Sequence, residues 1–403
     1  SSMNKKRINV VLAIRIDFFF MGVLLGGWST RIPELKTALH MNDATLGRTL
    51  IGSSLAAIFI SRVMGKLITR LGTKKVFYLG SSVFPFGYLL IAFAPNPLFV
   101  FLGIFAFVTG YFFLDNPLTI VTQKLEADDG RKYLSGFHGF WSIGTLAAGF
   151  FGSFLIGHVK YSYHLAGIAV VVFLVLIQSG RSLADVRPGT GDEAKAKDIP
   201  WFGSLGIFIL FIGAGMLCSN SAEFGATDWS ALFLRDVLSI TGSAYVGAYL
   251  AFESGMILSR LLGDRYIHKY GASKVIFFSG LVGALSWLAS MEIGIRVNNS
   301  QHGYSWLAYV IILLGYFAAG TGVGPLFPGF ITILGSVPGI NMGAALSRAF
   351  MVSMIGVSVV PATIGFVSDA TSLKTGMLIP ISLLFIAGIL SRVGKSKVVQ
   401  IND

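Results

Sequence analysis

The sequence predicts an all-α integral membrane protein with twelve transmembrane helices in two six-helix, pseudo-symmetric bundles. Three observations carry that reading. Of 403 residues, 54% are hydrophobic and only 12% charged, against about 25% charged in ordinary soluble chains. The apolar runs are each about 20 residues long, enough to cross a hydrocarbon core of roughly 30 Å. The third observation is that the second half of the chain repeats the first. SRVMGKLITRLGTKKV at 61–76 returns as SRLLGDRYIHKYGASKV at 259–275. Gly65 answers to Gly263, Gly72 to Gly271 after one inserted residue, and Lys75-Val76 to Lys274-Val275. Trp28-Ser29 pairs with Trp229-Ser230, each followed by an arginine (Arg31, Arg235), and Ser135 and Gly144 pair with Ser347 and Gly356. Matches in one order, at an offset of roughly 200 residues, mark a duplicated half. In membrane proteins such halves rock about a central site.

The spans are expected at 10–32, 46–68, 75–95, 98–121, 134–157 and 162–181, then at 202–224, 243–264, 274–295, 305–333, 343–367 and 374–392. The first is too long for a signal-peptide core and is read as a retained span. The tenth contains Gly320, Gly322, Gly324, Pro325 and Pro328 and should be bent or broken. The long polar stretch at 182–200 separates an N-terminal bundle (1–181) from a C-terminal one (201–403). Cations crowd alternate loops: Lys5, Lys6 and Arg7; Lys66, Arg70, Lys74 and Lys75; Lys124, Arg131 and Lys132; the linker; Arg265, Lys269 and Lys274; and Arg392, Lys395 and Lys397. The opposite side has Arg31, Lys36, Lys160, Arg235, Arg296 and Lys374. The rule that positive loops stay inside puts both termini and the linker in the cytoplasm. The net charge of +12 is therefore a topology signal facing anionic lipid, and nucleic acid is not an expected partner.

Ionisable groups inside spans are functional candidates because the bilayer penalises them. Arg15 and Arg48 can snorkel to the surface, and Arg62 and Arg260 recur near inner helix ends as ties between loops. Asp17 is short, cannot snorkel, and sits among Phe18, Phe19 and Phe20. Trp28 returns to its helical face about three turns later. Asp115, in GYFFLDNP with Asn116, should lie at the depth of His138, which shares a face with Ser142 and neighbours Trp141. A carboxylate and an imidazole at one depth could titrate together and carry a proton, or could form a buried bond without transport. Cys218, Ser219, Asn220, Ser221 and Glu223 suggest a water-lined outer half of span seven, with Asp228 at the outer rim. Glu253 is about 10.5 Å along the axis from Arg260, too far for a direct pair. It needs a partner on another helix, a proton or a substrate. Arg348 could hold an anionic group, an acid such as Glu253, or a gate salt bridge.

The chain has no phosphate-cradling G-x-x-x-x-G-K-[ST] and no metal-ligand or nucleophile-elbow spacing, so no ATP drive, cofactor, metal or enzymatic activity is expected. Its one cysteine allows no disulfide.

These residues resemble the major facilitator superfamily. Its signature loop between spans two and three is similar to Gly65, Arg70, Gly72, Lys74 and Lys75, with Thr69 where the family usually has Asp. The second copy, with Gly263 and Gly271, departs further. WSTRIP at 28–33, RKYLSGFHGFWSIG at 131–144, DWSALFLR at 228–235 and GVGPLFP at 322–328 resemble a bacterial branch related to fucose permease. That resemblance implies sugar import with protons, using acids on spans one and four, where this chain has Asp17 and Asp115.

The expected function is thus a monomeric secondary transporter of the bacterial inner membrane. It would move a small polar solute by alternating access with proton symport through Asp17 and Asp115. Trp28, Asn116, His138, Trp141, Asn220, Glu223, Glu253 and Arg348 are the candidates for touching substrate. Aromatics would stack on a sugar face and polar groups would bond its hydroxyls. Three rivals stay open: a proton-antiporting drug exporter, an organic-anion carrier dependent on Arg348, and a non-transporting sensor.

Overall fold

The structure, a computed structural model, describes residues 2–131, 133–187, 199–300, 305–339 and 342–402. Among these every regular element is helical. That is the form in which an apolar segment satisfies its own backbone in lipid. The first helices are α1 (Ser2–Ala38), α2 (Asp43–Ala92), α3 (Pro97–Asp129), α4 (Leu134–Ser153) and α5 (Tyr161–Gly180). They are followed by α6 (Ser204–Leu232), α7 (Gly247–Tyr270), α8 (Ala272–Ser300), α9 (Trp306–Val323), α10 (Leu326–Gly335), α11 (Met342–Ala370) and α12 (Leu373–Asn402). Among the described residues nine helical segments are long and apolar enough to cross a membrane.

Several helices outrun the apolar windows. The spans expected at 46–68 and 75–95 are carried by one 50-residue helix, α2, broken only at Gly72 (φ 80°, ψ 165°). Its repeat partner Gly271 (φ 86°) ends α7. Both glycines hold a left-handed backbone that a side chain would strain. The span expected to stop at 224 continues through Leu232 and a π-helical turn, Phe233–Val237. DWSALFLR is therefore helix. Its polar residues end the hydropathy signal but not the hydrogen-bond ladder, because Trp229 and Ser230 are buried in protein. The tenth expected span is broken as predicted, into α9 and α10 around Gly324-Pro325.

The chain divides into two compact units. One comprises residues 1–41 and 48–190, the other 42–47 and 191–403. Residues 188–198 of the expected linker, and Lys132 of the cationic loops, lie outside the described residues. In the first unit α1 packs on α4 and α5. Gly22 and Gly26 of α1 face the α4 backbone at Trp141 and Thr145, and Gly144 of α4 faces the Phe19 carbonyl. In the second, α6 packs on α11 and α12, and α9 on α7 and α8. Gly356 of α11 faces the Leu217 side chain of α6, whereas its repeat partner Gly144 faces the backbone of α1. The six residues 42–47 join the second unit through α11. The amides of Asp43 and Ala44 donate to the Asp369 carboxylate (3.1 and 2.8 Å), and Ser368 Oγ donates to Asp43.

Candidate functional site

The close packing of α1 on α4 and α5 turns Asp17 into protein. Its side chain is wholly buried, Ser179 Oγ of α5 donates to Oδ1, and Oδ2 has no partner. Arg15 points away and lies over the Phe140 ring, 5.5 Å from its centroid. Asp115, half-buried on α3, makes no hydrogen bond or ion pair. Among the described residues no cation is within ion-pair distance of either acid. No hydrogen bond joins Asp115 to His138. The imidazole is exposed and its ring lies 5.3 Å from Phe18 of α1. Trp28 is buried, and Asn116 Nδ2 donates to Phe112 O of its own helix (3.1 Å). The Trp141 indole N–H is buried without a partner, an unmet donor near Asp17's end of α1.

Arg31, counted above among loop cations, instead lies inside α1 and is fully buried. Nε donates to His164 Nδ1 of α5 (2.9 Å), Nη1 to Glu34 (2.6 Å) and Nη2 to the Val159 carbonyl (2.9 Å). A buried guanidinium is tolerated only when its donors are met this way. The arrangement clamps α1 to α5. The i,i+3 spacing of Arg31 and Glu34 and a lone His164 in an apolar run were the available signals; the hydropathy boundary concealed them.

In the second unit the sequence reading missed a pair. Because α6 runs on past 224, Glu223 lies well inside it and meets Arg260 of α7 at 3.8 Å. Arg260 Nε also approaches the Gly324 carbonyl (3.4 Å) at the α9–α10 break. Pro328 has no N–H to offer that carbonyl four residues back, so the arginine meets an acceptor the helix left open. Asn220 is half-buried one turn before Glu223, and Ser221 Oγ is buried without a partner. Glu253 is 3% exposed, and Arg260 turns to Glu223 instead. Arg348 is turned to the start of the second unit. It donates to Pro200 O (2.9 Å) and lies over the Trp201 ring at 4.1 Å. The Phe327 ring packs 5.6 Å from Phe350.

The signature loop is tied down by the chain that follows α5. Thr73 N donates to Val186 O (3.0 Å), Thr73 Oγ1 donates to Ala184 O (3.0 Å), and Val186 N donates back to Thr73 Oγ1 (2.9 Å). Lys74 Nζ reaches the Arg181 carbonyl (3.4 Å), and the Asp185 carboxylate lies beside Gly72 and the Lys74 amide (3.5 Å). Thr69, where the family usually has Asp, bonds only Gly65 O of its own helix (2.8 Å). Asp185 thus brings to this loop the carboxylate that position 69 lacks. Gly65, Arg70 and Lys75 are exposed, while Gly263 is buried.

Comparison with known proteins agrees with this architecture. The chain is 25% identical over 369 residues to an uncharacterized MFS-type transporter of Yersinia pestis, covering 91% of each chain. The nucleoside transporter NupG superposes with a TM-score of 0.73 at 14% identity, over 96% of this chain and 99% of that one. The E. coli fucose:proton symporter FucP does so at 0.58 and 15% identity, over 95% and 98%. The family model of the Major Facilitator Superfamily matches residues 16–361. This chain belongs to that superfamily of membrane transporters.

Proposed function

We propose that the protein is a secondary active transporter with twelve spans in two six-helix halves and both termini cytoplasmic in a bacterial inner membrane. It moves a small polar solute such as a sugar or nucleoside by alternating access, with inward proton movement as the drive. The observation that carries this reading is Asp17: a carboxyl group enclosed between α1 and α5, with Ser179 on one oxygen, nothing on the other, and no cation. A carboxylate held in an ion pair has its charge already answered, whereas the free Oδ2 has a place for a proton. Asp115 is likewise without a cation and serves as a second acceptor. The unmet indole N–H of Trp141, with Trp28, Asn116, His138, Asn220, Glu223 and Glu253, supplies the polar and aromatic contacts a hydroxylated solute needs. Arg348, on which an organic-anion carrier would depend, is occupied by Pro200 and Trp201. The likeness to NupG and FucP suggests the first solutes to try.

The test is uptake in liposomes of sugars and nucleosides while internal pH is recorded. Solute-dependent acidification is expected. Asp17→Asn and Asp115→Asn should abolish proton-driven accumulation yet keep solute exchange. Proton-driven accumulation that survives in both variants overturns the reading.

A further inference from the structure

The duplication supplies an internal control for one surface of the second unit. In the first unit Ile60, Met64, Ile68 and Val76 form a closed cluster, packed against by Phe112 and Phe113 of α3. Their repeat partners are Leu258, Leu262, Tyr266 and Val275. These line an open groove of about 520 Å³ between α7, α8 and the end of α9. Leu258, Leu262 and Tyr266 are 45%, 42% and 48% exposed, where Ile60, Met64 and Ile68 are 4%, 7% and 2%. On the α9 side the groove meets Thr321 and Pro325 at the helix break, and no phenylalanine like those of α3 fills it. Gly263 also borders it, and a Cβ there would meet only Pro325 at 3.8 Å.

The groove is largely apolar, with Lys274 on its lining and Lys269 beside the lining residue Tyr270. Tyr266 and Tyr270 stack with ring centroids 6.3 Å apart, Lys269 Nζ lies 5.2 Å over the Tyr270 ring, and Lys274 lines the rim. Among the described residues neither lysine is in an ion pair, and Asp264, exposed, is the one acid between Leu258 and Val275. Tyrosines and lysines together mark the membrane–water boundary, and basic recesses between helices there attract anionic headgroups.

The geometry points to a binding site for one anionic phospholipid. An acyl chain lies along Leu258, Leu262 and Phe278, and the phosphate sits at Lys269 and Lys274. The lipid fills the space that side chains of α3 fill in the other unit. This inference is independent of the proton-coupling proposal.

The test uses the full-length protein, purified and delipidated in detergent, titrated with phosphatidylglycerol or phosphatidylcholine of the same chain length. Native mass spectrometry reads bound lipid and thermal unfolding reads the consequence. One phosphatidylglycerol should be retained at least fivefold more tightly than phosphatidylcholine. The double variant Lys269→Gln/Lys274→Gln should remove that preference. Gly263→Leu, which has room to enter the groove, should reduce binding of both lipids while raising the lipid-free unfolding temperature. Equal retention of the two lipids by the unaltered protein, or an unchanged preference in the lysine variant, overturns the proposal. The lysines are surface positions, so the test stands even if Gly263→Leu fails to assemble.

Discussion

Ile60, Met64, Ile68 and Val76 occupy the same steps of the repeat as Leu258, Leu262, Tyr266 and Val275, yet one set is core and the other a groove wall. The apolar character of each position survives duplication. What differs is the facing helix, with Phe112 and Phe113 on α3 against Thr321 and Pro325 at the break of α9. The polar groups diverge in the same way. Arg31 in the first unit is fully buried with three acceptors, while its partner Arg235 is 23% exposed beside Asp236. Among the described residues Asp17 and Asp115 of the first unit have no counter-cation, whereas Glu223 of the second has Arg260. A repeated backbone therefore carries two different chemistries. In one unit two span acids stand apart from any described cation while Arg31 is locked by three acceptors, and in the other a span acid is tied to a cation at a broken helix.

Substitutions at paired positions test that contrast. The largest effect is expected at Arg31. Arg31→Met strands His164, Glu34 and the Val159 carbonyl and should cost about 4 kcal/mol, whereas Arg235→Met should stay within about 1 kcal/mol. Thermal unfolding of the purified variants checks the pair, and equal losses would erase the difference between the units. Next is Phe113→Ala, which opens the closed cluster and should cost about 3 kcal/mol. If facing side chains alone separate core from groove, this variant should also bind an added lipid by mass spectrometry.

The third contrast lies in the glycines. At Gly144 an added methyl meets the Phe19 backbone, which cannot step aside, while at Gly356 it meets the movable Leu217 side chain. Gly144→Ala should cost about 2 kcal/mol and Gly356→Ala less, as overpacking depends on what can yield. A reversed order in unfolding temperature would show that the backbone of α1 gives way more readily than its packing suggests. The smallest effects belong to the acids. Ser179→Ala should cost about 1 kcal/mol by leaving both Asp17 oxygens bare. Glu223→Gln should cost about 0.5 kcal/mol, because Arg260 is partly exposed and the 3.8 Å pair is weak. Added salt should narrow only the second.

Much of the fold was legible because bilayer length and apolar composition dictate helices, and each expected apolar run is carried mainly by helix, the tenth by two. The break at Gly324-Pro325 was legible because proline removes a donor wherever it stands. Boundaries were not. Hydropathy ended the first and seventh spans at WSTR and before DWSA, where polar side chains are buried against protein and the helix continues. Arg31, at the end of the first span, was counted with the loop cations, and Glu223 was assigned to a water-lined outer half of the seventh, so the Arg31–His164 clamp and the Glu223–Arg260 pair were not anticipated. The expected depth match of Asp115 and His138 gave no bond, because depth along an axis says nothing about which neighbour a ring turns to. The isolation of Asp17 from Arg15 was legible, since two residues apart on a helix face different ways.

Composition and spacing set the chemistry available: apolar helices, a duplicated half, glycines where helices touch, and a handful of ionisable groups that lipid would not tolerate idle. Which of those groups meet was set by the packing of helices against one another. Arg260 reaches Glu223 and not Glu253, Arg348 serves Pro200, and one copy of the repeat is a core while the other is a groove. Helix formation is settled within a segment by its own backbone bonds. Pairing and filling depend on what a facing helix presents, and that comes from a distant part of the chain.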